Sequence, residues 1–509
     1  MTRISLGESI TMTARNKPDA PSFLFPDGGQ HTFAQTNARV NRLVSALRAQ
    51  GIGRGDRLAV FSLDSHRYVE IVLAALKLGA VYVPLNYRLR RGEIDTLVAR
   101  AAPVAFCYDV RYTDLLAGLP DAHPSIKLFL AMNGDEPEYE ALLATGTEAE
   151  PPVVASDEHV IGLAFTSGTT GLPKAVLQSQ RMMKAIVTEQ VVEYRMRPDD
   201  VRYAAAPTFH ITGICQLLMC VAYGTPSLIL PQFDPRTTLD FLAADRLTAV
   251  FLVPTMISTV LALPDVHDHT YDRLRLMYYG ASAMSPNLLR RAMDTFRCDF
   301  LNAFGAGTEA GLQAVLTPED HRAALDGRPE LLGSIGKPAF GVALRIVDED
   351  LNEVPTGEVG EIATRSDMVM DGYLEMPEET ERALRGGWFR AGDLGYLGEN
   401  GYLYLAGRKK DMIVRGGENI FPIEIESVLA EHPAVAQAAV VGVADEHWSE
   451  VVRAWVTLRD GATATAEELA GHCAQRLAKF KVPAEFRFVD ALPTNASGKI
   501  LKRELRTWN

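Results

Sequence analysis

The chain has 509 residues, more than one hydrophobic core serves, and at roughly 150 residues per domain it divides into about three folding units. Apolar residues make up 47% and charged residues 23%, a globular balance that excludes disordered and fibrous classes. The net charge of −13 argues against a nucleic-acid surface as the main partner, while leaving room for basic patches around an anionic ligand.

The opening segment MTRISLGESI lacks the apolar run of a secretory signal, so a cytoplasmic location is expected. Leu58 to Ser62 reads as a buried strand, Arg67 to Leu78 as an apolar-faced helix and Ala80 to Pro84 as the next strand. The longest apolar stretch, Ile71 to Leu85, carries Lys77 and is broken by Gly79 and Pro84, too punctuated for a transmembrane segment. A further strand, Val160 to Phe165, runs into Thr166-Ser167-Gly168-Thr169-Thr170-Gly171-Leu172-Pro173-Lys174. Glycines let a backbone approach an anion and aim N–H groups at it, the four hydroxyls add donors, and the lysine adds a full charge, as a phosphate cradle requires. An ordinary strand-ending turn is the plainer reading. The common P-loop is ruled out, because Pro173 precedes the lysine and Ala175 follows it.

Strand signals return at Ala249 to Val253, Leu274 to Tyr279 and Phe300 to Phe304. Their alternation with helical patterns predicts an α/β fold: a large N-terminal domain of mainly parallel, helix-covered sheets, with ligands at the carboxyl ends of the strands. From about Gly341 the texture shifts to short strands and turns, predicting a β-rich subdomain over about 341–408. The cluster Arg408-Lys409-Lys410-Asp411 then marks a candidate hinge at Lys410. Beyond it, residues 409–509 carry helix, strand, strand, helix and strand signals, enough for a small, mobile α+β C-terminal domain after the 1–408 unit. The five cysteines, Cys107, Cys215, Cys220, Cys298 and Cys473, are scattered without metal-ligand spacing and read as reduced core thiols.

Five motifs in order carry a resemblance: the loop at 166–174; Gly307-Thr308-Glu309; Gly387-Trp388-Phe389-Arg390-Ala391-Gly392-Asp393; Gly407-Arg408-Lys409-Lys410-Asp411 with Gly416-Gly417-Glu418-Asn419-Ile420; and Ser497-Gly498-Lys499. Over nearly its whole length the chain resembles the adenylate-forming superfamily: acyl-CoA synthetases, peptide-synthetase adenylation domains and firefly-type luciferases. The resemblance implies that a carboxylate attacks the α-phosphate of ATP and that a thiol then captures the acyl-adenylate, with AMP and pyrophosphate as by-products.

It also implies roles. Thr166, Ser167, Gly168, Thr169, Thr170, Gly171 and Lys174 would hold the β- and γ-phosphates, Thr308 would donate to the α-phosphate, and Glu309 would hold Mg²⁺. Asp393 would accept from the ribose hydroxyls and Arg408 add a ribose or phosphate contact. Gly280, Ala281, Ser282, Asn302, Ala303 and Phe304 would form a slot for adenine. Lys499 would bridge the attacking carboxylate and the α-phosphate, Lys410 would be the pivot, and Gly416 and Gly417 would let a pantetheine arm pass. Taken singly, each has a plainer reading: a solvated carboxylate at Glu309, a turn cap at Asp393, a surface ion pair at Arg408, packing at the adenine slot, and a tight turn at Gly416.

Two departures from the family pattern fall on the ATP side: Ala175 in place of glycine, and Gly305-Ala306-Gly307 ahead of Thr308-Glu309, where Phe304 and Gly305 could serve shifted by one. They raise the alternative of weak adenylation, with the chain acting on a supplied acyl-adenylate. Phe209 to Gly213 lacks the aspartate that holds a substrate amine in peptide synthetases, so amino acids are disfavoured. His210, Thr212, Gly213, Tyr279 and Gly305 are the expected pocket residues, with Cys215, Val253, Met256 and Ala303 as further wall candidates. Their apolar or weakly polar character points to a hydrophobic carboxylic acid, fatty, aryl or polycyclic. Coenzyme A or the phosphopantetheine of a carrier protein would be the acceptor. A luciferase-like oxygenase has no independent signature here, a non-enzymatic binder would need neither Lys410 nor Lys499, and a homo-oligomer is compatible with the reading.

Overall fold

The computed structural model describes residues 5–134, 138–152, 156–166, 173–282, 284–445, 447–494 and 500–508. Its first 408 residues are built on two large sheets. One has seven strands in the order Gly372–Tyr373, Lys174–Ser179, Val160–Thr166, Val81–Leu85, Arg57–Phe61, Ala105–Asp109 and Leu128–Met132. From Val160–Thr166 onward these run parallel, while Lys174–Ser179 returns antiparallel and carries Gly372–Tyr373 on its outer edge.

The second sheet has nine strands. Its centre, Arg202–Ala204, Ala249–Phe251, Leu276–Gly280 and Asp299–Phe304, is parallel, and Ala314–Leu316 and Lys337–Pro338 extend it antiparallel. The opposite end takes Ser227–Leu228 and the amino-terminal strands Pro21–Leu24 and Gln30–Thr32. The strands expected from the sequence are therefore present, and the expected mainly parallel order holds in the interior of both sheets.

The largest core joins residues of both sheets, such as Tyr82 and Ala105 with Phe251 and Tyr278, through helices lying between them. The His66–Leu78 helix is one of these. Ser65 caps its start, Gly79 ends it in the left-handed region at φ 69°, and every residue from Tyr68 to Leu78 is buried. A helix apolar on all sides belongs in such a layer. Its two buried charges are paired, as burial demands: Glu70 meets Arg39 at 2.6 Å and Lys77 meets Glu150 at 2.6 Å. Separate clusters cover the outer faces of the two sheets.

A four-stranded antiparallel sheet, Ala343–Val347, Gly360–Arg365, Phe389–Leu397 and Leu403–Arg408, follows the nine-stranded one. A 3₁₀ turn, Lys409–Asp411, leaves it. The chain then forms a five-stranded sheet with its own cores around Ile413, Val440 and Val452 and around Val441 and Trp455. Among the described residues no helix is long and apolar enough to cross a membrane.

Candidate active site

Thr166 and Lys174 face each other across the antiparallel pair Val160–Thr166 and Lys174–Ser179. The glycine-rich segment therefore joins two strands of a hairpin, where a P-loop would open a helix. Ser167, Gly168, Thr169, Thr170 and Gly171 lie outside the described residues. Lys174 is held by two groups the motif does not contain: Nζ pairs with Glu379 Oε2 at 2.6 Å and stands 4.9 Å from the centre of the Tyr373 ring. Glu379 comes from the Pro377–Ala383 helix and Tyr373 from the strand beside Lys174–Ser179. Arg100 secures the end of the loop, donating to the carbonyls of Pro173 at 2.8 Å and Leu374 at 3.0 Å.

Ala175 explains itself in the same register. Successive strand residues point to opposite faces, and Ala175 is fully buried in the core covering the outer face of this sheet, away from Lys174. The first departure thus leaves the phosphate side untouched. The second is a packing solution. A side chain at Gly305 would put its Cβ 2.1 Å from the Gly311 carbonyl oxygen, and one at Gly307 would put it 2.9 Å from Ile211 Cγ2. The short Gly307–Ala310 helix, with Thr308 half-buried on it, is folded tightly back on itself.

That helix carries Glu309. Burial pushes its carboxyl up to about 7, against the pull of a hydrogen bond to Thr166 and of the positive charges of Arg408 and Lys174. Arg408 in turn pairs with Asp393 at 2.9 Å, the two lying opposite each other on the last strands of the four-stranded sheet. Asp393 is 6% exposed, so this carboxylate is fixed, with its guanidinium, at the rim of the cluster. Thr166, Lys174, Glu309, Asp393 and Arg408, drawn from four separate motifs, meet.

The residues expected on the acid side centre on the Ile211–Tyr223 helix. His210 is its N-cap, with Nδ1 accepting from the Thr212 N–H at 3.3 Å. Burial lowers the imidazole to about 4, so it is neutral at pH 7. Gly213 is dictated by close approach, since a Cβ there would lie 2.4 Å from the Pro207 carbonyl oxygen. Asp64, unremarked in the sequence, fixes the preceding loop by accepting from the Thr208 N–H with both oxygens, at 2.9 and 3.1 Å. Its carboxyl is raised to about 7 by burial.

Two expectations need correction. Tyr279 does not face the same side as Ala303: it packs in the outer core of the nine-stranded sheet, and its hydroxyl meets His321 Nε2 at 3.0 Å. Three of the six residues expected at the adenine slot also diverge. Asn302 lies beside Tyr279, Ala303 enters the core between the sheets, and Phe304 packs on the four-stranded sheet. Strand alternation is the cause, and what these residues share is backbone. Gly280 is small because the Ala303 carbonyl oxygen would lie 2.3 Å from a Cβ there, while Ala281, at φ 66°, and Ser282 are exposed just past the strand end.

Lys410 is exposed on the 3₁₀ turn, and its carbonyl accepts from Arg506 at 3.2 Å. Gly416 and Gly417, at φ 58° and 90°, form the two-residue tip between Ile413–Arg415 and Glu418–Ile420, a geometry that favours glycine. Lys499 lies outside the described residues. Glu379, Tyr373, Arg100 and Asp64 went unread because each acts on a partner far away in sequence, 205 positions for Glu379 and Lys174.

Residues 10–374 match the AMP-binding enzyme family, and residues 424–499 match the AMP-binding enzyme C-terminal domain. The chain belongs to the AMP-binding enzymes. This AMP-binding enzyme is 33% identical over 507 residues to the fatty acid–[acyl-carrier-protein] ligase ScoC of Streptomyces coeruleorubidus, covering 99% of this chain and 96% of that one. It is 33% identical over 508 residues to the indoleacetate–CoA ligase of Aromatoleum aromaticum, covering 99% and 98%. The crystal structure of ATP-bound MatB from Rhodopseudomonas palustris superposes with a TM-score of 0.90 at 29% identity, covering 99% of both chains. This AMP-binding enzyme is an acid–thiol ligase of the acyl-CoA synthetase class and works through an acyl-adenylate. The alternative of a chain limited to a supplied acyl-adenylate is not favoured, and Ala175 gives it no structural footing.

Proposed function

We propose that this AMP-binding enzyme joins a hydrophobic carboxylic acid to the thiol of coenzyme A in two steps, converting ATP to AMP and pyrophosphate. The observation that carries the reading is the meeting of Thr166, Lys174, Glu309 and the Asp393–Arg408 pair. Lys174 takes the charge of the departing pyrophosphate, the preorganised electrostatic work that dominates such chemistry. Asp393 offers its carboxylate oxygens to the ribose hydroxyls, and the Arg408 guanidinium, 2.9 Å away, holds that carboxylate in place. Thr308 supplies a hydroxyl beside the α-phosphate, and Lys499 orients the attacking carboxylate.

The donor set suits Mg²⁺. The described residues hold no group of three or more His, Cys, Asp or Glu that could cage a metal ion. Glu309 stands instead as a single, largely enclosed carboxylate, raised by burial even with Arg408 and Lys174 near it. Mg²⁺ is commonly bound by one or two carboxylates together with substrate phosphates, and here it would neutralise phosphate charge.

The neutral His210 and the apolar start of the Ile211–Tyr223 helix border the acid. All five cysteines are free, which supports a reducing cytoplasmic setting. The similarity to ScoC supports a second acceptor, the phosphopantetheine of a carrier protein. Mass spectrometry of products from a carboxylic-acid panel with ATP, offered CoA in one arm and a phosphopantetheinylated carrier in the other, tests both. Thioester on CoA is the expected result; thioester on the carrier alone would replace the reading.

A further inference from the structure

Glu189 lies on the Gln180–Glu193 helix with 4% of its surface exposed, and neither carboxylate oxygen has a hydrogen-bond partner among the described residues. An unpartnered buried carboxyl is costly and calls for an explanation. Burial, reinforced by Glu193 one turn on, raises it to about 9, so at pH 7 it is a neutral acid, a donor as well as an acceptor. Tyr194 and Cys215 are the other titratable groups that feel it.

Its place relative to the reaction centre follows from two close contacts. Gly311, directly after the Glu309 helix, lies against Ile186: a Cβ there would be 2.9 Å from Ile186 Cγ1. Gly307, at the start of that helix, lies against Ile211 at the same distance. Glu189 is three residues beyond Ile186, and Cys215 is four beyond Ile211, so each lies one turn, about 5.4 Å, further along the same face of its helix. The Gln180–Glu193 and Ile211–Tyr223 helices pack on each other, with Glu189 and Cys215 close enough for the carboxyl to act on the thiol. More polar groups lie in the same layer: the Tyr278 hydroxyl bonds Gln216 Oε1, and Tyr278 packs on Tyr194 at 4.4 Å between ring centres.

We propose that Glu189 is a specificity-determining residue at the inner end of the acyl site, where its neutral carboxyl hydrogen-bonds a hydroxyl or carbonyl on the part of the acid remote from the reacting carboxylate. This rests on the reading that the acid enters beside His210. It narrows the substrate class from hydrophobic acids in general to those with a polar group at the far end. An all-hydrocarbon acid leaves Glu189 unpartnered, and a site with a buried polar group rejects the analogue lacking its complement.

Matched acids test it: aryl acids with and without a para-hydroxyl, and alkyl acids with and without a terminal hydroxyl, in wild type, Glu189→Gln and Glu189→Leu. The readout is kcat/KM for pyrophosphate release. Wild type is expected to favour the hydroxylated member of at least one series by about tenfold or more. Glu189→Gln keeps that preference, and Glu189→Leu erases or inverts it while still using the unsubstituted acid. A ratio near one in wild type for both series, or an unchanged ratio in Glu189→Leu, overturns the inference. Pyrophosphate release without CoA thioester would defeat the acceptor assignment alone. If no acid supports pyrophosphate release, the ligase reading falls, and the same ratios are read from calorimetric binding of the acids.

Discussion

Lys174 is held in a partly enclosed pair with Glu379, each side chain about one-sixth exposed or less, so phosphate must compete with a carboxylate for it. Replacing Lys174 with alanine is expected to lower kcat/KM for ATP by about a hundredfold, the scale of losing one preorganised donor. Glu379→Gln should act oppositely, tightening KM for ATP by up to about fivefold, equivalent to about 1 kcal/mol. Steady-state kinetics with ATP varied checks both. Tyr279 gives a contrasting expectation. Because its hydroxyl bonds His321 on the outer face of the sheet, Tyr279→Phe should cost about 1 kcal/mol of stability in urea unfolding and leave the ranking of acids unchanged. The lysine stands out in the sequence because the run around it is local and crowded with glycine and hydroxyl residues. Glu379, Arg100 and Asp64 were not, since their partners are set by folding and no periodicity announces them.

Elements position these residues through close contacts. The Ile211–Tyr223 helix presses its first turn onto the carbonyls of Pro207 and Ala206, the loop that presents His210. Gly213→Ala must push the two apart, costing about 1–3 kcal/mol and raising KM for the acid more than KM for ATP. The Gln180–Glu193 helix carries a pH signature. Glu189 has a folded-state pKa near 9 against an ordinary 4.5, so between those values the native state holds a proton that the unfolded state lacks. Its contribution is full below about pH 4.5 and is lost as pH rises through 9. Between pH 6 and pH 8 wild type should lose about 2.7 kcal/mol relative to Glu189→Gln, measured by urea unfolding at both pH values. Strand positions and the alternation of helix and strand were readable from apolar periodicity. Which face Asn302, Ala303 and Phe304 present was not, because it depends on register with neighbours distant in sequence.

At the scale of the whole molecule, the two large sheets with their shared helix layer and the separate cores after residue 411 make a large body joined through Lys409–Asp411 to a small one. The order of the motifs made this architecture readable: the 166–174 run leaves one strand at Thr166 and enters the next at Lys174, and Gly407 to Asp411 spans the end of the four-stranded sheet. The account assigns Lys499 to adenylation and the Gly416–Gly417 tip to thioester formation, so the two halves of the reaction should separate by mutation. The direct measurement is acid-dependent exchange of pyrophosphate into ATP, paired with CoA thioester formation from a synthetic acyl-adenylate, in wild type and Lys499→Ala. Wild type is expected to do both, and the variant to lose exchange by two orders of magnitude or more, about 2.7 kcal/mol, while keeping thioester formation. Wild type that forms thioester from the acyl-adenylate but shows no exchange with any acid, or a variant that retains both activities, would contradict the account.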